Sequence, residues 1–295
     1  MNADKPVRVR EKTEGRDLSY PPVPEKLTVP LYDNHTHLEI EDGESGMDPN
    51  EQLDRAERVG VRGIVQVGTD LDTSRWSARL AACDRRVLAA VALHPNEAPR
   101  LAERGVLEEH IAGVAELATQ PRVRAVGETG LDFFRTGEAG RESQLYSFEQ
   151  HIEIAKQHDL ALQIHDRDAH EQVVETLLRV GAPERTVFHC YSGDEQLAAI
   201  CADNGWYMSF AGTITFKNAV NLRSSLRVAP RSLIMVETDA PFLTPMPYRG
   251  RPNSAYLLPL TVRYMADVLD ADLEVLCSQI AYNTEQVYGD WASDE

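Results

Sequence analysis

No apolar run in this chain of 295 residues approaches the ~20 residues that a membrane-spanning helix needs. The N-terminal stretch also lacks a hydrophobic signal core, so a cytoplasmic location is expected. Cysteine is scarce. Cys83, Cys190, Cys201 and Cys277 are the only four, and no two form a C-x-x-C pair. A zinc ribbon or a redox pair is therefore disfavoured, and reduced, mostly buried thiols are expected. Positive charge is short as well: 30 Lys and Arg stand against 47 Asp and Glu, a formal net charge of −17. A field of that sign repels nucleic acid at long range. Any phosphate-bearing substrate must be drawn in locally, by metal ions and a few placed basic side chains. Several catalytic signatures are missing too. No G-x-G-x-x-G opens the first helix and no P-loop occurs. There is no G-x-S-x-G elbow. His170-Glu171 begins like H-E-x-x-H, but Val174 stands where the second histidine belongs.

What remains is an ordinary globular composition, 42% hydrophobic and 26% charged, in a length that suits one large α/β barrel or two medium domains. Residues 1–28 carry Lys, Arg, Glu and Pro with few large apolar groups. Their composition predicts an extended or disordered leader that packs weakly. From residue 29 to residue 295 short apolar runs alternate with helical patterns. Strands are expected at 31–35, 63–68, 87–93, 123–127, 161–164, 186–188, 206–210 and 233–236. Helices are expected between them, among them 48–59 with Asp48 as N-cap and Pro49 at its first position, and one long stretch from residue 97 to about 119. Helices at 255–269 and 272–281 close the chain. About eight strand–helix units with near-continuous apolar strands predict a (β/α)8 TIM barrel, with an open doubly wound sheet as the runner-up.

The ionisable residues fall at the strand ends. Leu31-Tyr-Asp-Asn-His-Thr-His-Leu38 leaves the first strand with two imidazoles one residue apart, and alternation puts Asp33, His35 and His37 on one face. His94 closes the third strand, Glu128 the fourth, His165 the fifth, His189 the sixth and Asp239 the eighth. In a barrel these ends meet at the C-terminal face, where active sites of this fold lie. A histidine leaving a strand is commonplace, and each member taken singly could be a turn or core residue. Jointly they need a shared partner, because unpaired buried carboxylates are costly. Divalent metal supplies one. His35, His37, Glu128, His165, His189 and Asp239 exceed one tetrahedral site and fit two ions about 3.5–4 Å apart. His35, His37 and Asp239 would take one ion, His165 and His189 the other, and Glu128 would bridge. Such a pair activates a water, and Asp239 is placed to accept its proton. Cys190 follows His189, but alternation aims it away, so a Cys–His nucleophile is not expected.

The loops beyond the strands are basic. Arg135, Arg167, Lys217, Tyr248 and Arg249 follow strands four, five, seven and eight, and with His94 form the candidate substrate contacts. Phe133, Phe134 and Tyr248 offer faces for base stacking.

These same residues carry a family resemblance. Asp33-Asn-His-Thr-His-Leu38, Val126-Gly-Glu-Thr-Gly-Leu-Asp-Phe-Phe-Arg135, Ile164-His-Asp-Arg-Asp-Ala169, His189-Cys-Tyr-Ser-Gly193, Phe216-Lys-Asn218, Val236-Glu-Thr-Asp-Ala-Pro-Phe-Leu-Thr-Pro245 and Tyr248-Arg-Gly250 occur in order. The chain resembles the TatD-type metal-dependent deoxyribonucleases of the amidohydrolase-like barrels. The resemblance implies a TIM barrel, two divalent ions per subunit (Mg²⁺, Mn²⁺ or Zn²⁺), and metal roles for His35, His37, Glu128, His165, His189 and Asp239. It also implies hydrolysis of DNA phosphodiesters at single strands or ends, often from the 3′ end. Two departures stand out: Thr129 replaces the usual apolar residue after the glutamate, and Asn96 replaces the second histidine of His-Pro-His. The alternative activity is a metal-dependent esterase or amidohydrolase, for example a deacylase of aminoacyl-tRNA. A non-catalytic metal-dependent binding module is the third reading. No membrane partner is expected, and the chain is expected to be a monomer.

Overall fold

The structure is a computed structural model that describes residues 5–6, 8–11 and 13–292. In chain order its elements begin with strands β1 (Arg8–Val9), β2 (Leu31–Thr36) and β3 (Ile40–Glu41), then α1 (Pro49–Arg58), β4 (Val61–Val67), α2 (Leu71–Cys83) and β5 (Val87–Val91). Next come α3 (Glu97–Glu103), α4 (Leu107–Leu117), β6 (Val123–Asp132), α5 (Glu138–Gln157), β7 (Ala161–Arg167), α6 (His170–Val180) and β8 (Thr186–Phe188). The chain continues with α7 (Glu195–Asp203), β9 (Tyr207–Phe210), α8 (Val220–Val228), β10 (Ile234–Val236), α9 (Leu258–Leu269) and α10 (Leu273–Tyr288). Asp48, Asp70, Asp194 and Asp272 cap α1, α2, α7 and α10 by accepting backbone N–H groups of the first turn, the role expected of a short carboxylate there.

The sheet runs β2-β4-β5-β6-β7-β8-β9-β10, and every neighbouring pair is parallel. Its two edges meet beyond the last strand: Thr36 bridges Ala240, the Asp239 N–H donates to His35 O at 3.0 Å, and the His37 N–H donates to Ala240 O at 2.8 Å. The sheet is thus a TIM barrel closed at its C-terminal rim, with helices over its outside. Strand β5 is buried along its whole length, as a parallel strand covered on both faces must be. No helix among the described residues is long and apolar enough to cross a membrane.

Four local features differ from the expectations. The single helix expected from residue 97 to about 119 is two helices, because Gly105 turns the chain at φ +70°. Strands β6 and β7 run on to Asp132 and Arg167, beyond the expected ends at 127 and 164. The last helix continues to Tyr288, not 281. The small parallel pair β1–β3 was not expected at all.

The leader needs a correction. Its described part is not weakly packed. Asp42 is buried, with two bonds from Arg16 and one from Arg10. The Tyr256 hydroxyl donates to Pro21 O at 2.6 Å, Arg251 donates to the carbonyls of Ser19 and Tyr20, and Leu27 is 1% exposed. Composition foretold a weak association because it counted apolar groups. The anchoring is largely polar, added to the packing of Leu27 and Tyr20 on the core, and removing one partner of such a buried ion pair costs about 3 kcal/mol or more.

Candidate metal centre

Two irregularities in the strands aim the key side chains. β6 carries one extra residue against β7 between Val126 and Thr129. A bulge of that kind bends a strand and redirects its side chains, and it turns Glu128 into the barrel mouth. The flanking glycines are required by close approach: a methyl at Gly127 would meet Gln163 Cβ, and one at Gly130, where φ is +136°, would meet the His165 carbonyl. β2 has a similar slip between Asp33 and Thr36. It breaks the alternation that put Asp33 on the face of His35 and His37. Asp33 instead accepts from the Thr238 N–H at 2.9 Å and from its hydroxyl at 2.5 Å, locking the exit of β10 against β2. Burial pushes the Asp33 carboxyl up to about 7 despite those bonds.

The six expected ligand residues converge at the mouth. Glu128 sits at the centre with its two oxygens on different neighbours. Oε1 lies 3.5 Å from His37 Nε2 and 3.9 Å from His35 Nε2. Oε2 lies 3.0 Å from His189 Nε2 and 3.1 Å from His165 Nδ1. Asp239 Oδ1 stands 3.6 and 3.8 Å from the Nε2 atoms of His37 and His35. The His35 ring stacks on His189 at 3.8 Å.

The tautomers follow from the outer partners. Gln163 donates from Nε2 to Asn34 O at 2.7 Å, so its oxygen faces His35 Nδ1 at 3.1 Å and that nitrogen carries the hydrogen. His37 Nδ1 donates to Val67 O at 3.1 Å, and His189 Nδ1 to Glu237 Oε1 at 3.2 Å. In each neutral ring Nε2 is then a bare lone pair. Two of these lone pairs, on His35 and His37, face each other across 3.3 Å, and the others face carboxylate oxygens. Acceptors arranged around acceptors need a cation between them, a proton or a metal ion, and imidazole with carboxylate is a donor set suited to zinc and other divalent metals. His165 Nε2 adds a further sign: it is buried without a well-aligned hydrogen bond among the described residues, and faces the Asp132 carboxylate at 3.4 Å. The residues fit the metal that the sequence implied.

The electrostatics agree. Burial alone would raise the Glu128 carboxyl, but His94, His189 and His165 hold it well below the usual carboxylate range. Burial works against a charged His37, yet Asp239, Glu39 and Glu128 push it up to about 9. For His35 burial wins, aided by His189, and it stays neutral. The carboxylates of the mouth thus draw positive charge onto His37 and His189, and leave His35 neutral.

His94 is the exception in orientation. Its Nδ1 accepts the Asn96 N–H at 3.1 Å, so the hydrogen sits on Nε2, 3.8 Å from Glu128 Oε2. Burial pushes its pKa down to about 3, which keeps the ring a neutral donor. Together with Asp132 and His165 it forms a second grouping of possible ligands beside the first. Arg135, Lys217 and Arg249 are exposed on the loops after β6, β9 and β10, and Arg167 is half-buried as the last residue of β7. Arg167 lies over the ring of Phe134 at 4.0 Å, and Arg249 over Phe216 at 4.2 Å. Tyr248 is half-buried beside Arg249. Strand alternation does not set the direction of Cys190, because β8 ends at Phe188 and Cys190 sits in a turn at φ +42°, its N–H donating to Glu237 Oε1 at 2.9 Å. Burial keeps it a thiol, its pKa well above the usual value.

The orienting residues were missed. Gln163 could have been found, since it stands two before His165 on β7 and alternation gives them one face. Glu237 follows β10 directly, but its pairing with His189 is a contact between distant segments. An isosteric Glu237→Gln change removes the charge behind His189 and is expected to weaken metal affinity by about tenfold, the lower end for such outer partners. Isothermal titration with Zn²⁺ or Mn²⁺ reads it, and an unchanged Kd would deny Glu237 that role.

A family model described as TatD related DNase matches residues 32–289. The metal-dependent hydrolase TatD of Mycobacterium tuberculosis, described as uncharacterized, is 38% identical over 263 residues, covering 88% of this chain and 98% of its own. YabD of Bacillus subtilis, described in the same way, is 31% identical with the same coverage of each chain. Among solved structures, YJJV, a TatD homologue from Escherichia coli K12, superposes with a TM-score of 0.78 at 24% identity, covering 88% of this chain and 98% of its own.

Proposed function

Because the chain belongs to the TatD-related DNase family and is a metal-dependent hydrolase of that family, we propose that it hydrolyses the phosphodiester bonds of DNA at single-stranded segments or ends, releasing nucleotides from the 3′ terminus. The observation that carries the substrate class is the state of the loop cations. In a chain of net charge −17, Arg135, Arg167, Lys217 and Arg249 form no ion pair with any acid among the described residues. Cations left without acidic partners around one mouth suit a polyanion. A small-ester or aminoacyl-ester substrate would use the same centre but give most of them no role.

His35, His37 and Asp239 would hold one divalent ion, His165 and His189 the other, and Glu128 both. When bound there, divalent ions would supply Lewis acidity and a lowered water pKa. The chain's own groups do the rest. Asp239, with its side chain 15% exposed, is the carboxylate of the group most open to the mouth, and it takes the water's proton as general base. His94 presents its Nε2–H toward the same place and donates to a phosphate oxygen. Arg167 on Phe134 forms a flat cationic face on which a base stacks while the guanidinium meets the neighbouring phosphate.

The test is direct. End-labelled single-stranded DNA incubated with purified protein and Mg²⁺, Mn²⁺ or Zn²⁺ is expected to shorten stepwise. Intact DNA under every metal, with the metal content of the protein verified, removes the nuclease reading.

A further inference from the structure

The arm formed by the described residues up to 28 lies before the family match, which begins at residue 32, yet it brings three arginines to the rim of the barrel. Arg16 is fully employed as a pin: it grips Asp42 with both Nη atoms and donates from Nε to Gly250 O. Arg8 and Arg10 each bond through Nη1 alone. Arg8 joins Glu39, just before β3, to Thr69 after β4. Arg10 lies instead against the segment that follows Asp239. Both of its hydrogen bonds leave from Nη1, a short one of 2.7 Å to Pro241 O and a long one of 3.3 Å to Asp42 Oδ2. Among the described residues its Nε and Nη2 have no partner. Asp42 does not need it, since Arg16 and the Gly43 N–H already satisfy that carboxylate.

The place of this half-used guanidinium is specific. Pro241 stands two residues after Asp239. The Arg10 guanidinium lies over the Phe242 ring at 5.1 Å, and that ring meets the His37 ring edge-on at 6.4 Å. The side chain is 26% exposed. Burial and Arg16 lower the Arg10 pKa, Asp42 opposes them, and the charge of Asp239 adds a smaller share. A guanidinium presenting an Nε/Nη2 edge is the geometry that takes a phosphate with two parallel bonds.

We propose that Arg10, delivered by the N-terminal arm, is a substrate-binding residue that holds a non-scissile phosphate on the β2–β10 side of the mouth. The arm is then a fixed wall of the substrate cleft, and Arg10 favours chains of several phosphates over single-phosphate esters. This rests on the phosphodiester reading above.

The experiment measures binding apart from cleavage. Affinity of the metal-loaded full chain for a fluorescein-labelled single-stranded oligonucleotide, its linkages made hydrolysis-resistant by phosphorothioate substitution, is followed by anisotropy against salt. Arg10→Gln keeps a donor for Pro241 O and removes the charge. It is expected to weaken binding by about tenfold, the size of a lost charged hydrogen bond, and to flatten the slope of log K against log salt by about 0.7, one phosphate contact. Arg10→Lys restores the slope but only part of the affinity, because an ammonium lacks the fork. Arg185→Ala is the control. It removes the same charge before β8, at the opposite end of the barrel. Equal flattening by Arg185→Ala, or no change with Arg10→Gln, overturns the proposal. Binding without cleavage of unsubstituted DNA by the unaltered protein counts against the nuclease reading alone, since the slope still reports on Arg10. Cleavage with an Arg10-independent slope counts against Arg10 alone. No binding at low salt overturns both.

Discussion

Glu128→Ala is expected to empty both metal positions at once. The carboxylate gives one oxygen to the His35–His37 side and the other to the His165–His189 side, at 3.0–3.9 Å. Among the described residues no other carboxylate ion-pairs with histidines on both sides. Asp239 pairs with His35 and His37, and Asp132 with His165. Without Glu128 each side keeps imidazoles but loses the anion that offsets a divalent charge in a buried place. Outer partners alone are worth about ten- to a hundredfold in affinity, so a shared ligand should exceed that at both positions. Metal analysis by mass spectrometry is expected to find little metal on the variant, and activity should fall to background. Thermal unfolding separates this from misfolding. A bound metal stabilises the native state by mass action, so a chelator should lower the Tm of the unaltered protein and leave that of the variant where it is. Metal content equal to the unaltered protein would end the bridging role.

Much of this was legible beforehand because the fold sorts residues simply. Parallel strands that alternate with helices must send their C-terminal ends to one rim, so His35, His94, Glu128, His165, His189 and Asp239 could be grouped from the ends of apolar runs alone. What escaped was of three kinds. Asp33 was placed by strict alternation, and a one-residue slip in β2 is invisible in composition. Gln163, Glu237 and Asp132 act on histidines through contacts that only the closed barrel creates. The arm escaped because its anchoring is an ion-pair arrangement: Arg8, Arg10 and Arg16 look like solvated charges until Glu39 and Asp42 are brought beneath them. The same closure that gathers the metal ligands makes those carboxylates available, since Glu39 and Asp42 lie a few residues beyond His37 on the rim.

Asp239→Asn should separate chemistry from metal binding. Asp239 is held on all sides. Its N–H donates to His35 O at 3.0 Å and its carbonyl accepts from Phe242 at 2.8 Å, while the preceding Thr238 is locked by Asp33. Its backbone lies in the left-handed region at φ +52°, which asparagine adopts as readily as aspartate. The variant therefore keeps the shape of the site, and one side-chain oxygen still faces His35 and His37. It loses the ability to accept a proton. General-base catalysis contributes about 10²–10⁴-fold, so kcat on single-stranded DNA is expected to fall by about a thousandfold, with KM little changed and most of the metal retained. The contrast with Glu128→Ala is the informative part: one change removes activity by removing metal, the other with the metal still in place. Should Asp239→Asn keep kcat within about tenfold of the unaltered protein, less than a positioned base contributes, the proton goes elsewhere. Glu128 would be a poor substitute, because the surrounding imidazoles hold its carboxyl well below the usual range and make it a weak base. His94, neutral and already carrying its hydrogen on the inward nitrogen, has no lone pair aimed at the centre to take it.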